Sequence, residues 1–83
     1  MITIYTKANC SFCDKAKALM TKNNIEYYEI PIEDRVDFIK NKFPTMKTAP
    51  IIVDKGGNLV GGYDQLEERI FSDEGFGKTL LFG

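Results

Sequence analysis

The residues best suited to chemistry are two cysteines spaced as Cys10-Ser11-Phe12-Cys13. On a helical turn, side chains at i and i+3 share a face, which brings two thiols within disulfide reach. A pair so placed can cycle between dithiol and disulfide. That chemistry needs a thiolate, and the start of a helix stabilises one. Unpaired N–H groups and the positive end of the helix dipole point at the sulfur of the leading cysteine. Lys7, three residues upstream, adds positive charge nearby. Such surroundings lower a thiol pKa from about 8.5 into the range of roughly 3.5–7.5. Cys10 is therefore expected to be exposed and to attack first. Cys13, one turn further in, is expected to be shielded and to resolve the mixed disulfide. A zinc site would need two more ligands, and the chain has neither a third cysteine nor a histidine. A purely structural disulfide closing so short a loop would constrain the unfolded chain little.

Composition narrows the field further. Without histidine there are no Ser–His or Cys–His nucleophile pairs and no histidine general base, which removes most hydrolase chemistry. Eleven basic and twelve acidic residues give a net charge of −1, so neither a nucleic-acid nor a membrane partner is indicated. No apolar run approaches the roughly 18–20 residues that span a bilayer. The opening Met1-Ile2-Thr3-Ile4-Tyr5 reads as a strand and not as a targeting segment, so a reducing, cytoplasmic setting is expected. There, a cysteine pair points to reactivity more than to architecture. The 83 residues suit one small domain, whose burial on folding leaves only modest stability.

The elements that must position the cysteines follow from periodicity. Ile2 to Tyr5 reads as a strand, and Ser11 to about Lys22 as a helix. Cys13, Ala16 and Met20 form its inner face, with Lys15, Lys17 and Lys22 free for solvent. Asn23-Asn24 ends it. Ile25 to Ile32 is rich in β-branched and aromatic residues and reads as a second strand, with Pro31 suggesting an edge position. Asp34 is expected to cap a helix with Val36, Ile39 and Phe43 inside, stopped by Pro44. Ile51-Ile52-Val53 and Leu59-Val60 flank Asp54-Lys55-Gly56-Gly57-Asn58, a hairpin signal. Gly61-Gly62 breaks the second hairpin strand. A last helix is expected with Asp64 as cap, Glu67 three residues later, and Leu66 and Ile70 inward. The order is β-α-β-α-β-β-α, with the first two strands parallel and the hairpin antiparallel. That is a mixed four-stranded α/β sheet packed by helices, a thioredoxin-like fold. Residues 72–83, with three glycines and an apolar Leu80-Leu81-Phe82, form an atypical tail expected to pack loosely.

Three motifs now stand in a recognisable order: Lys7-x-x-Cys10-x-x-Cys13, then Thr48-Ala49-Pro50, then Gly61-Gly62-Tyr63-Asp64-Gln65-Leu66. Over residues 1 to about 71 the chain resembles the glutaredoxins. The last segment is similar to that of the small glutaredoxin-like thioredoxins of T-even-type bacteriophages. That resemblance implies electron delivery to ribonucleotide reductase, in the host cytoplasm if the chain is phage-encoded. The family resemblance also implies a cis peptide before Pro50, opposite the cysteines, with the Ala49 N–H and C=O free to pair with a substrate backbone. Glutathione would lie across this groove as cosubstrate. Lys7 would bind its glycyl carboxylate and Ala49 its cysteinyl backbone, while Thr48 helps form the groove and Phe12 walls it. Gly62, Tyr63 and Asp64 would hold the γ-glutamyl end, with Lys47 a lesser candidate.

Several positions depart from the family pattern. Ser11 replaces the proline common between the cysteines, which loosens the helix start and alters the redox potential. Ala49 replaces the commoner valine, and Gln65 stands where many members have an acid. Asn9 stands where thioredoxins carry tryptophan. The implied activity is reduction of protein disulfides and of glutathione mixed disulfides by a monomer. A family-like potential would be roughly −200 to −230 mV. Two alternatives stay open. One is recharging by thioredoxin reductase in place of glutathione. The other is a [2Fe–2S] carrier in which two Cys10 residues and two glutathiones supply the four sulfur ligands.

Overall fold

A computed structural model describes residues 1–71 of the chain; the tail over residues 72–83, and the loose packing expected of it, lie outside the described residues. Strands β1 (Ile2–Thr6), β2 (Tyr27–Pro31), β3 (Ile51–Val53) and β4 (Leu59–Gly61) form one sheet in the order β2-β1-β3-β4. Helices α1 (Ser11–Lys22), α2 (Val36–Lys42) and α3 (Tyr63–Phe71) pack on it. β1 runs parallel to β2 and antiparallel to β3, and β3 runs antiparallel to β4. The expected topology is the observed one, a thioredoxin-like α/β fold.

Alternation along the central strands sorts two cores. Ile2, Ile4 and Ile52 point to one face, where Ala16 and Met20 of α1 and Leu66 and Ile70 of α3 meet them. Tyr5, Ile51 and Val53 point to the other face and cover Ile39 and Phe43. Because side chains of successive strand residues face opposite ways, β1 and β3 are buried on both sides. Ile4, Met20, Ile52 and Leu66 are wholly buried. Each stabilises the fold by roughly 1.5–3 kcal/mol relative to exposure. Those four fix where α1 and α3 begin, and so where the cysteines sit.

Several boundaries differ from expectation, each for a local reason. β2 starts at Tyr27, not Ile25, because the Ile25 N–H donates to the Met20 carbonyl (2.8 Å) in the turn that closes α1. It ends at Pro31, where Ile32–Asp34 wind into a short 3-10 turn. Asp34 therefore does not cap α2; Arg35 holds that position and makes no side-chain capping bond. Val36 is not inward either. It is 38% exposed, while Ile39 and Phe43, four apart, carry the contact with the sheet. α2 stops at Lys42, since the residue before Pro44 is pushed out of helical space. Lys17 is not free for solvent: its ammonium pairs with Glu29 on β2 at 3.1 Å. In the hairpin, the Asp54 carboxylate accepts from the Gly56 and Asn58 N–H groups, both at 2.9 Å, and Gly57 takes a φ of +84°.

Candidate functional site

The chain leaves β1 through Lys7, Ala8 and Asn9, and Asn9 takes a left-handed φ of 56°, which asparagine tolerates better than most residues. That reversal sets Cys10 as the N-cap of α1 with extended backbone (φ −113°, ψ 101°). Its carbonyl accepts the first helical bond from the Asp14 N–H at 3.2 Å. Its sulfur takes the role that an oxygen plays in most caps: the Cys13 N–H donates to Cys10 Sγ at 3.1 Å. Cys10 and Cys13 are joined by a disulfide, with Cα atoms 5.2 Å apart. Cys10 is half-buried, whereas Cys13 is 2% exposed. Only Cys10 presents its sulfur to a bulky partner.

A cleft of about 240 Å³ opens between the starts of α1 and α3. Phe12, Thr48, Ala49, Pro50, Gly62, Tyr63 and Asp64, seven of the residues singled out from the sequence, line it together. The Ala49–Pro50 peptide is cis. Phe12, half exposed, packs its ring on Tyr63 with centroids 5.8 Å apart, and the Lys15 ammonium lies over the Phe12 ring, 5.1 Å from its centroid. The Tyr63 hydroxyl is pushed up from its ordinary pKa, first by partial burial and then by the Glu67 carboxylate, to which it donates at 3.4 Å. It is a neutral hydrogen-bond donor at physiological pH.

Lys7 is exposed and does not line this cleft. It opens onto a second one beside Ala8, Ile32 and Val36. Lys47 is exposed and lines neither. Asp64 lies in the first turn of α3 and is not its cap, because the Leu66 N–H donates to the Gly62 carbonyl and places the cap at Gly62. Gln65 completes the cap by accepting from the Gly62 N–H at 2.9 Å. Sequence reasoning did not place Met46 or Gln65 in the cleft wall, and both line it. Gln65 makes only the half of a capping box that reaches back to the cap N–H, and a glycine cap has no side chain to mark that motif in the sequence.

A half-exposed cysteine capping a helix, a buried partner one turn in, and a proline-walled cleft on a mixed sheet define a thioredoxin-fold dithiol oxidoreductase. Residues 2–56 match the glutaredoxin family model, and the chain belongs to that family. Glutaredoxin 1 of Rickettsia prowazekii is 41% identical over 71 residues, covering 78% of this chain and 72% of that protein. The solution structure of glutaredoxin from Brucella melitensis superposes with a TM-score of 0.69 at 32% identity, covering 96% of this chain and 86% of that one. The crystal structure of the buckwheat glutaredoxin–glutathione complex gives a TM-score of 0.73 at 20% identity, covering 88% and 70%, a likeness of fold.

Proposed function

We propose that the protein is a glutathione-dependent thiol-disulfide oxidoreductase in which Cys10 is the nucleophile and Cys13 the resolving thiol. The observation that carries this reading is the asymmetry of the pair. Cys13 is shut in the core, while its own N–H is aimed at the sulfur of the accessible Cys10. In the reduced protein that N–H becomes a charge-assisted donor to a Cys10 thiolate. The thiolate attacks a substrate disulfide sulfur, forming a mixed disulfide and releasing one substrate thiolate. Cys13, losing its proton, then attacks Cys10 Sγ. The second substrate thiolate leaves, and two electrons have passed to the substrate.

The Cys10–Cys13 disulfide is reduced by two glutathiones. The first attacks Cys10 Sγ and frees the Cys13 thiolate. The second attacks the resulting mixed disulfide and releases glutathione disulfide and the Cys10 thiolate. The cleft walled by Phe12, two residues from Cys10, suits this cosubstrate: the Ala49 backbone pairs with its cysteinyl backbone, Thr48 and Phe12 bound the groove, and Gly62, Tyr63 and Asp64 hold its γ-glutamyl end. Lys7, on the second cleft, takes the glycyl carboxylate. The physiological protein substrate proposed from the phage-type resemblance is ribonucleotide reductase, with the protein acting as a monomer in the cytoplasm.

The test compares electron sources for turnover of a small mixed disulfide. Turnover with glutathione and glutathione reductase is expected. Turnover with thioredoxin reductase alone would keep the cysteine roles and retire the glutathione groove. Cys13→Ser is expected to abolish protein-disulfide reduction while sparing deglutathionylation; loss of both would overturn the assignment of roles.

A further inference from the structure

The two parallel strands beside the cysteine turn part company where they end. β1 and β2 stop at the same level, with Thr6 paired to Pro31. β1 leads through Lys7, Ala8 and Asn9 into α1, which packs on the Ile4 face of the sheet. β2 leads through Ile32–Asp34 into α2, which packs on the Tyr5 face. Where the chains after two neighbouring parallel strands turn to opposite faces, a crevice opens beyond the carboxyl ends of the strands, and ligands bind there. In this fold that crevice is the second cleft, of about 550 Å³ against about 240 Å³ for the first. Of its lining, only Lys7 has a part in the glutathione chemistry above.

The rest of the lining suits something other than a carboxylate. Ala8, Pro31, Ile32 and Val36 make an apolar floor, and all but Ile32 are exposed. Lys7 stands at the end of the cleft that leads to Cys10, and Glu29 and Glu33 stand on the side of β2 and the turn after it. The Glu29 carboxylate is already engaged by the Thr6 hydroxyl and the Lys17 ammonium. Glu33 is exposed and has no ion-pair partner among the described residues. An apolar floor with one uncommitted acid beyond it complements an apolar side chain followed by a cation.

Glutathione ends one residue past its cysteine, in the free carboxylate that Lys7 takes. A protein cysteine has a peptide bond there, and its chain runs on. At about 3.3 Å per extended residue, the second residue past the cysteine is carried beyond Lys7. We propose that the second cleft is a docking surface for protein disulfide substrates. It holds an apolar side chain two residues past the reactive cysteine, with Glu33 facing a lysine or arginine that follows. This rests on Cys10 as nucleophile and Lys7 as the glycyl contact, as read above. The two substrate classes then have separate handholds: charge at Lys7 for glutathione, apolar area at Pro31, Ile32 and Val36 for a protein.

The test uses the fully reduced protein and symmetrical disulfides of short blocked peptides, so that attack on either sulfur is equivalent. The parent peptide reads Gly-Cys-Gly-Leu-Lys, and its relatives exchange Leu for Ser or Lys for Glu. Release of peptide thiol is followed, and turnover of the glutathione–mercaptoethanol mixed disulfide is measured alongside. The Leu peptide is expected to react about tenfold faster than the Ser peptide, the size of one apolar side chain in a pocket. Val36→Ser changes a position that is 38% exposed, so it is expected to fold like the parent, which a thermal melt checks. It should erase most of the Leu preference and leave turnover of the small mixed disulfide unchanged. Glu33→Lys should invert a preference of about threefold for the Lys over the Glu peptide, an effect that fades with added salt. No Leu preference in the parent protein, or equal slowing of both substrate classes by Val36→Ser, would overturn the proposal. So would a Lys preference that Glu33→Lys leaves in place. The peptide rates need no glutathione, so failure of the glutathione reading shows separately, as absent turnover of the small mixed disulfide.

Discussion

Two helix starts meet at the cleft, and they solve the same problem with different atoms. At α1 the orphan N–H of Cys13 is satisfied by Cys10 Sγ; at α3 the N–H of Gly62 is satisfied by Gln65 Oε1. Their first turns touch through the Phe12–Tyr63 ring pair. One cap is the reacting atom itself, whose charge changes with redox state. The other is a neutral amide that no redox step alters. The capping bond at α1 thereby also favours the thiolate, while the cap at α3 is the same in both redox states.

The sharpest way to separate the two caps is Cys10→Ser. A serine oxygen caps a helix at least as well as sulfur, so the melting temperature should hold while turnover falls by on the order of a thousandfold or more. A large loss of stability instead would show that Cys10 is chiefly structural. Next in size is the seating of the fixed wall. Leu66 is wholly buried beneath the first turn of α3, and Leu66→Ala should lower unfolding free energy by about 2–5 kcal/mol in chemical denaturation. Gly61→Ala attacks the same wall from the turn, through its positive φ and the 2.8 Å approach to Gln65. It should cost about 1–3 kcal/mol and raise the KM for glutathione.

The smallest effect belongs to the tie between α1 and β2. Glu29 accepts from the Thr6 hydroxyl at 2.8 Å and from the Lys17 ammonium at 3.1 Å. The Thr6 bond first, then Lys17, holds its carboxyl below the ordinary range, and the bond to Glu29 raises Lys17. A carboxyl lowered in the fold contributes stability above its unfolded value of about 4.3 and loses it as pH falls through the folded value. A raised ammonium contributes below its unfolded value of about 10.4 and loses it as pH rises through its folded value. Glu29→Gln should therefore cost a constant amount, about 0.5–1 kcal/mol for so exposed a pair, between about pH 5 and 10. Denaturation across pH should show that difference shrinking below about pH 4.

The α1 cap was legible in the sequence, because Cys10 precedes a helix whose Cys13, Ala16 and Met20 repeat is unmistakable, and all three are buried. The hairpin was legible from Asp54 to Asn58, where turn chemistry is local. The α3 cap was misplaced at Asp64, a good capping residue two positions inside the helix; the glycines that set the real start have no side chain to signal it. α2 was misread at both Asp34 and Val36, since the 3-10 turn before it depends on how β2 ends and not on helical period. Lys7 lies close to Cys10 in sequence, yet it lines another cleft with Ala8, Glu29 and Ile32, a direction that spacing along the chain does not show.

The central claim is that the helix start activates Cys10 and shields Cys13. The most direct measurement is alkylation of the fully reduced protein with iodoacetamide across pH, read by mass spectrometry at each cysteine. Cys10 should be modified first, with a midpoint well below the ordinary thiol value of about 8.5, while Cys13 stays protected in the folded protein. Modification of Cys13 first, or a Cys10 midpoint at or above that value, would contradict the account.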